Sequence, residues 1–179
     1  PYLNNESKPK KSISNKLQDR FKKRVIYEDL NYIILNKPSG TAVHSGSGNN
    51  IGVIDVLRSF YIETIDLCHR LDKETSGCLV FAKNKIALRF FNKNLALRDK
   101  DLKKTYIAIL KGNFKKELLI DSNINTTKSS IDHKVNLNSQ EGKYASSLFR
   151  PIKKLNKSSL VEIDIFSGRT HQIRVQAES

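Results

Sequence analysis

The run Cys78-Leu79-Val80-Phe81-Ala82 is apolar throughout and directly follows the polar stretch His69-Arg70-Leu71-Asp72-Lys73-Glu74-Thr75-Ser76-Gly77. A short apolar run bounded by turn-forming residues reads as a buried strand. The polar stretch must then be a tight loop leading into the core. A carboxylate on such a loop, Asp72, can be held firmly and still be reached by a ligand. Loop carboxylates are common and mostly idle, so Asp72 gains meaning only if other parts of the chain agree with it.

The remaining patterns mix hairpins with helices. Val25-Ile26-Tyr27, a turn at Glu28-Asp29-Leu30-Asn31, and Tyr32-Ile33-Ile34-Leu35 read as strand, turn, strand. Pro38 and Gly40 punctuate the next stretch as a loop, and 46–50 reads as a flexible glycine-containing loop. Val53, Val56, Leu57 and Phe60 have helical spacing. A second helix is expected over Lys83 to Arg98, with Ile86, Leu88, Phe90, Phe91, Leu95 and Leu97 on its buried side. Thr105–Leu110, Ser146–Phe149 and Leu160–Ile165 read as strands, with a weak one near His133–Leu137 in an Asn/Ser/Thr-rich region. Gly168 stops the sheet, and Thr170 is expected to cap a helix. The fold class is α+β, a mainly antiparallel sheet flanked by helices.

Lys and Arg number 32 against 18 Asp and Glu, a formal charge of +14 that suits a polyanionic partner such as RNA or DNA. Cys68 and Cys78 make neither a disulfide framework nor a four-ligand metal site, so no metal is expected. No apolar run is long enough to span a bilayer and no secretory signal is visible, which fits a reducing cytoplasm. Residues 1–24 are polar and basic, with Lys8-Pro9-Lys10-Lys11 and Phe21-Lys22-Lys23-Arg24, and read as a linker or arm holding at most one short helix near Ser14–Arg24.

Further motifs stand with the Asp72 loop: Asn36-Lys37-Pro38-Ser39-Gly40-Thr41-Ala42-Val43-His44, the pair Thr105-Tyr106, and Gly168-Arg169-Thr170-His171-Gln172-Ile173-Arg174. In this order and at these separations the set resembles the RluA/RluC/RluD family of pseudouridine synthases, and within it the RluC type, which modifies large-subunit ribosomal RNA. His-Arg-Leu-Asp followed by Thr-Ser-Gly is highly specific, and Gly-Arg-Thr-His-Gln-Ile-Arg nearly so. The likeness runs from Val25 to the end of the chain. Ser167 and Gln176 depart from it, standing where Thr and His are commoner. The resemblance implies a central sheet with a catalytic cleft across it, a catalytic domain over 25–179 truncated at its C-terminus, and a small RNA-binding module missing before residues 1–24.

That family turns uridine into pseudouridine without a cofactor, and the expected partner is RNA, with the protein a monomer. The chemistry needs a carboxylate near C1′, as nucleophile or as base, a group that manages the C5 proton, and a cation that keeps the carboxylate ionised and aimed. Resemblance assigns these roles to Asp72, Tyr106 and Arg174. A nearby Arg lowers an Asp pKa, and a Tyr offers uracil both a face and a hydroxyl. Arg70, two residues before Asp72, shares its side of an extended segment and is expected to fill the gap left by a flipped base. His69, Arg169, Thr170, His171, Gln172 and Lys37 are placed on the substrate side, with His171 as a hydrogen-bonding group rather than a proton carrier. Rival readings are a base-excising, glycosidase-like enzyme, for which Glu74 would supply a second carboxylate, and a non-catalytic RNA-binding fragment.

Overall fold

The computed structural model describes residues 12–45, 51–62, 64–97, 102–128, 133–137 and 142–178. The expected basic run at 8–11, the loop at 46–50 and the far end of the second helix at Arg98 lie outside them. The chain divides into two compact units, Pro1–Lys93 and Asn94–Ser179.

The first unit contains α1 (Asn15–Lys22), β1 (Val25–Glu28), β2 (Tyr32–Lys37), α2 (Val53–Arg58), β3 (Asp66–Leu67), β4 (Gly77–Ala82) and most of α3 (Lys85–Ala96). Its strands form one antiparallel sheet in the order β1-β2-β4-β3. Asp29 closes the first hairpin: its Oδ1 accepts the N–H groups of Asn31 at 2.7 Å and Tyr32 at 2.6 Å. These bonds hold its carboxyl below the ordinary range. β2 alternates with period two, so Ile33, Leu35 and Lys37 all point inward and are fully buried. Ile33 stands opposite Phe81 and Leu35 opposite Leu79 on β4, and these four side chains make the centre of the sheet's core face. The apolar run after the Asp72 loop is thus the buried strand its composition required.

α2 buries Val53, Ile54, Val56 and Leu57. Its first turn sits directly on the preceding segment, with Val53 N–H donating to Ala42 O and Ile54 N–H to Val43 O. A Cβ at Gly52 would lie 2.5 Å from the His44 carbonyl carbon, which is why the chain needs glycine there.

The expectation for α3 is only partly met. Ala87 is buried and Leu88 and Phe91 pack beside it against Cys68 and Ala82. Ile86, Phe90 and Leu97 are instead exposed, at 75%, 63% and 67%. At roughly 100° per residue these three cluster on the flank opposite Leu88. Six apolar residues in this register cannot share one face.

The second unit contains β5 (Thr105–Lys111), β6 (Leu118–Lys128), β7 (His133–Leu137), β8 (Lys143–Lys154), β9 (Ser158–Ile165) and α4 (Gln172–Glu178). Its sheet runs β5-β9-β8-β6-β7, again antiparallel throughout. The α+β, antiparallel architecture is as expected, with the strands divided between two sheets. β6 was not anticipated. Its inward positions are Ile120, Ser122 and Ile124, and the serine hides the alternation. β8 carries a register shift between Pro151 and Lys153, where proline cannot donate to the ladder.

Two thiols report on the first unit. Burial, then the nearby Asp66 charge, pushes the Cys68 thiol up to about 12, whereas Cys78 is exposed. A disulfide reagent at neutral pH is expected to modify Cys78 rapidly and Cys68 only on unfolding. Two fast thiols by mass spectrometry would mean that the β3–β4 edge is open in solution.

Candidate active site

The Asp72 loop is built around a buried cation. Lys37 is the last residue of β2, and the strand alternation turns it into the core at 0% exposure. A buried ammonium must be satisfied or it is strongly destabilising. Lys37 Nζ donates to Pro38 O at 3.0 Å, Thr41 O at 2.8 Å and Lys73 O at 3.0 Å, which uses all of its hydrogens. Burial lowers its pKa, and the charges of Glu74 and then Asp72 push it back up. Ser39 Oγ adds a bond to Glu74 O at 2.7 Å. Segments 37–41 and 72–76 are therefore stitched together through backbone carbonyls. Lys37, expected on the substrate side, thus has its three donors engaged by backbone carbonyls of its own unit. Gly40 sits at φ 77 and Gly77 at φ 118, left-handed conformations that favour glycine at both ends of the assembly.

The loop follows an in-and-out pattern. Leu71 is buried and anchors it, Arg70 is exposed, and Asp72 is half-buried. Thr75 N–H donates to Asp72 O at 3.1 Å, closing a tight turn. His69 is more structural than expected. Its Nε2 accepts the Val80 N–H at 3.1 Å, and its ring stacks on Phe91 at 6.2 Å and 12°. Cys68 N–H donates to Val80 O. The imidazole thus stands in for the next backbone carbonyl of the β3–β4 ladder, at the point where the chain turns away toward Asp72.

In the second unit Tyr106 lies on β5 opposite Ile163. It is half-buried and packs, with Ala108, Leu110 and Ile173, against the cluster Phe149, Val161, Ile163 and Ile165. The segment expected to start a helix at Thr170 starts it later: α4 begins at Gln172, and Thr170 lies exposed in the turn before it. His171 O accepts the Val175 N–H at 3.1 Å, so His171 occupies the N-cap position. Its φ of 54 is left-handed. Arg174 is exposed on α4 and His171 is half-buried.

Gln172 is buried, and its amide is fully engaged. Nε2 donates to Ser146 O at 3.0 Å and Ser147 Oγ at 2.7 Å, while Oε1 accepts from Ser167 Oγ at 2.7 Å and Arg169 N–H at 3.0 Å. Like Lys37, it ties its motif to the neighbouring backbone from a buried position. Arg169 itself is exposed, with Nε donating to Tyr144 O at 3.0 Å. Two residues support this turn, of which the sequence had singled out Gln176 but not Lys104. Lys104 Nζ donates to Ser167 O at 3.2 Å, and burial and then Arg169 lower its pKa. Gln176 Nε2 donates to Ile120 O and Ser122 Oγ, tying α4 to β6. Only the departures at Ser167 and Gln176 hinted at this layer. Asp72, Arg70, His69 and Lys37 thus belong to the first unit, and Tyr106, Arg169, Thr170, His171, Gln172 and Arg174 to the second. Among the described residues no group of three or more His, Cys, Asp or Glu could hold a metal ion.

Residues 31–179 match the family of RNA pseudouridylate synthases. The chain belongs to that family. It is 39% identical over 176 residues to the ribosomal large subunit pseudouridine synthase C of Buchnera aphidicola subsp. Baizongia pistaciae, covering 97% of this chain and 55% of that protein. To the protein of the same name from Escherichia coli it is 38% identical over 157 residues, 86% of this chain and 49% of that one. The chain therefore spans about half the length of these relatives. The solved structure of human RNA pseudouridylate synthase domain containing 4 superimposes with a TM-score of 0.71 at 26% identity, over 90% of this chain and 66% of that one. Both halves of the pseudouridylate synthase match, the Asp72 loop and the α4 turn, are braced by buried polar side chains.

The brace is testable. Lys37→Met keeps the volume but leaves three carbonyls without a donor, and it is expected to cost about 3 kcal/mol of stability in urea unfolding. Lys153→Met, at the exposed end of β8, is expected to stay within about 0.5 kcal/mol. Equal effects for the two variants would refute the cage.

Proposed function

We propose that the protein isomerises uridine to pseudouridine in large-subunit ribosomal RNA. The observation that carries this reading is a half-buried carboxylate, Asp72, on a loop locked by Lys37 and Ser39, inside a chain of the pseudouridylate synthase family. The names of the relatives point to ribosomal RNA as the substrate. No helix among the described residues is long and apolar enough to cross a membrane, and a cytoplasmic monomer acting on RNA is part of the same proposal.

In this reading Asp72 acts at C1′ of the target uridine while the N1–C1′ bond breaks. The uracil turns, C5 bonds to C1′, the C5 hydrogen leaves to water and N1 takes up a proton. Nothing is gained or lost overall, so the step asks for no cofactor. A locked loop suits this work because a carboxylate that need not be reordered at each turnover loses less of its effectiveness to entropy. Tyr106 is assigned the ring and its proton, and Arg174 the charge that supports the ionised carboxylate. Arg70, exposed beside Asp72, is assigned the space vacated by the flipped base. Arg169, Thr170 and His171 present the remaining polar groups of the α4 turn to RNA.

The test uses the full-length protein and an unmodified large-subunit transcript carrying C5-tritiated uridine. Wild type is expected to release tritium and leave pseudouridine, and Asp72→Asn to fall at least about 100-fold while RNA affinity stays within a few-fold. Substantial activity in Asp72→Asn would overturn the assignment, and release of free uracil would favour base excision instead. Tyr106→Phe preserves the ring that packs against the cluster of Phe149 and Ile163, so the fold is expected to persist while turnover falls. Normal turnover in that variant would reduce Tyr106 to a packing residue.

A further inference from the structure

We infer that a basic crevice between the end of α1 and the β1–β2 hairpin is a second RNA-backbone contact, apart from the Asp72 loop. The crevice has a volume of about 360 Å³ and is lined by Arg20, Lys23, Arg24, Ile26 and Asn36. Its walls are fixed. Arg24 O accepts the Asn36 N–H at 2.8 Å, which joins the segment after the helix to β2. On the other side of α1, Phe21 is buried at 3% exposure.

The cations are arranged as one face. Lys16 and Arg20 share one face of α1, and Lys23, its C-cap, and Arg24 just beyond continue the same stripe at i+7, i+8 spacing. Lys22, off this stripe, is already engaged, paired with Asp19 at 3.5 Å and lying 5.2 Å over the Phe60 ring. Among the described residues no carboxylate lies within 4.0 Å of Arg20, Lys23 or Arg24, and none lines the crevice. The helix dipole favours cations in a last turn. It does not require them to gather in a concavity free of acids and beside an exposed asparagine. A groove lined by three cations, an asparagine and a single isoleucine, with no aromatic ring, suits a chain of phosphates better than a compact ligand. α1 and β1 precede residue 31, where the family match begins. The inference rests on RNA being the substrate, and it assigns these residues to affinity and placement, not to chemistry.

Charge neutralisation separates the two. Arg20→Gln with Lys23→Gln, both at exposed positions, is made in the full-length protein and titrated with the unmodified large-subunit transcript over a range of salt. Neutralising two phosphate contacts is expected to lower the slope of log K against log salt by about one to two units. Affinity near physiological salt should drop at least about 10-fold, with kcat at saturating RNA unchanged. Lys153→Gln with Lys154→Gln, at the exposed end of β8, serves as the control and is expected to change the slope less. An unaltered slope in the α1 variant, or an equal change in the control, overturns the inference. So does loss of binding to anionic lipid vesicles with RNA binding intact, which would assign the crevice to a membrane surface. If wild type binds RNA through this face yet forms no pseudouridine, the proposed activity fails and the crevice stands.

Discussion

The Lys37 ammonium and its cage of carbonyls are the constraint on which the first unit's loops depend. Strand alternation sends this side chain into the core beside Ile33 and Leu35. Once there, it cannot remain unpaired, because desolvation of a charge costs far more than a neutral hydrogen bond returns. The chain answers by bending two loops so that Pro38, Thr41 and Lys73 aim their carbonyls at Nζ. Glu74 and Asp72 supply opposing charge. The same contacts that make the lysine tolerable therefore also determine where the Asp72 loop sits.

The α4 turn solves a similar problem with a neutral group. Gln172 offers two donors and an acceptor oxygen, and all are used by Ser146, Ser147, Ser167 and Arg169. Lys104 adds a donor to the Ser167 carbonyl. An amide is the cheaper choice here because it needs no counter-charge inside the sheet. In both units the most polar residues of a motif divide into inward ties and outward groups. Lys37, His69 and Gln172 face in, while Arg70, Arg169 and Arg174 are exposed.

The surface charge is also divided. Arg150 is enclosed by Glu117, Glu162 and Asp164, and Lys83 pairs with Glu28. Such pairs consume cations without adding much stability at an exposed surface. The cations left outside these networks carry the capacity to meet a polyanion. Arg20, Lys23 and Arg24 are of this kind, and their common face distinguishes them from a charge excess spread evenly over the chain.

Much was legible before any coordinates. Apolar runs at Tyr32–Leu35 and Cys78–Ala82 and the punctuation at Pro38 and Gly40 are local signals, and the strands and loops appear where they point. Family membership was legible too, because its words are contiguous in sequence. What the sequence could not settle was direction. Whether Lys37 and Gln172 face a ligand or the core depends on which carbonyls other strands bring to them, and those partners lie as far as 36 residues away. The same holds for β6, a strand because β7 and β8 flank it, and for α3, whose apolar residues outnumber the places its packing face can bury. Local sequence determines which residues can be buried or bonded. Only the tertiary structure decides which of them are, since burial and hydrogen-bond satisfaction belong to the whole set of neighbours.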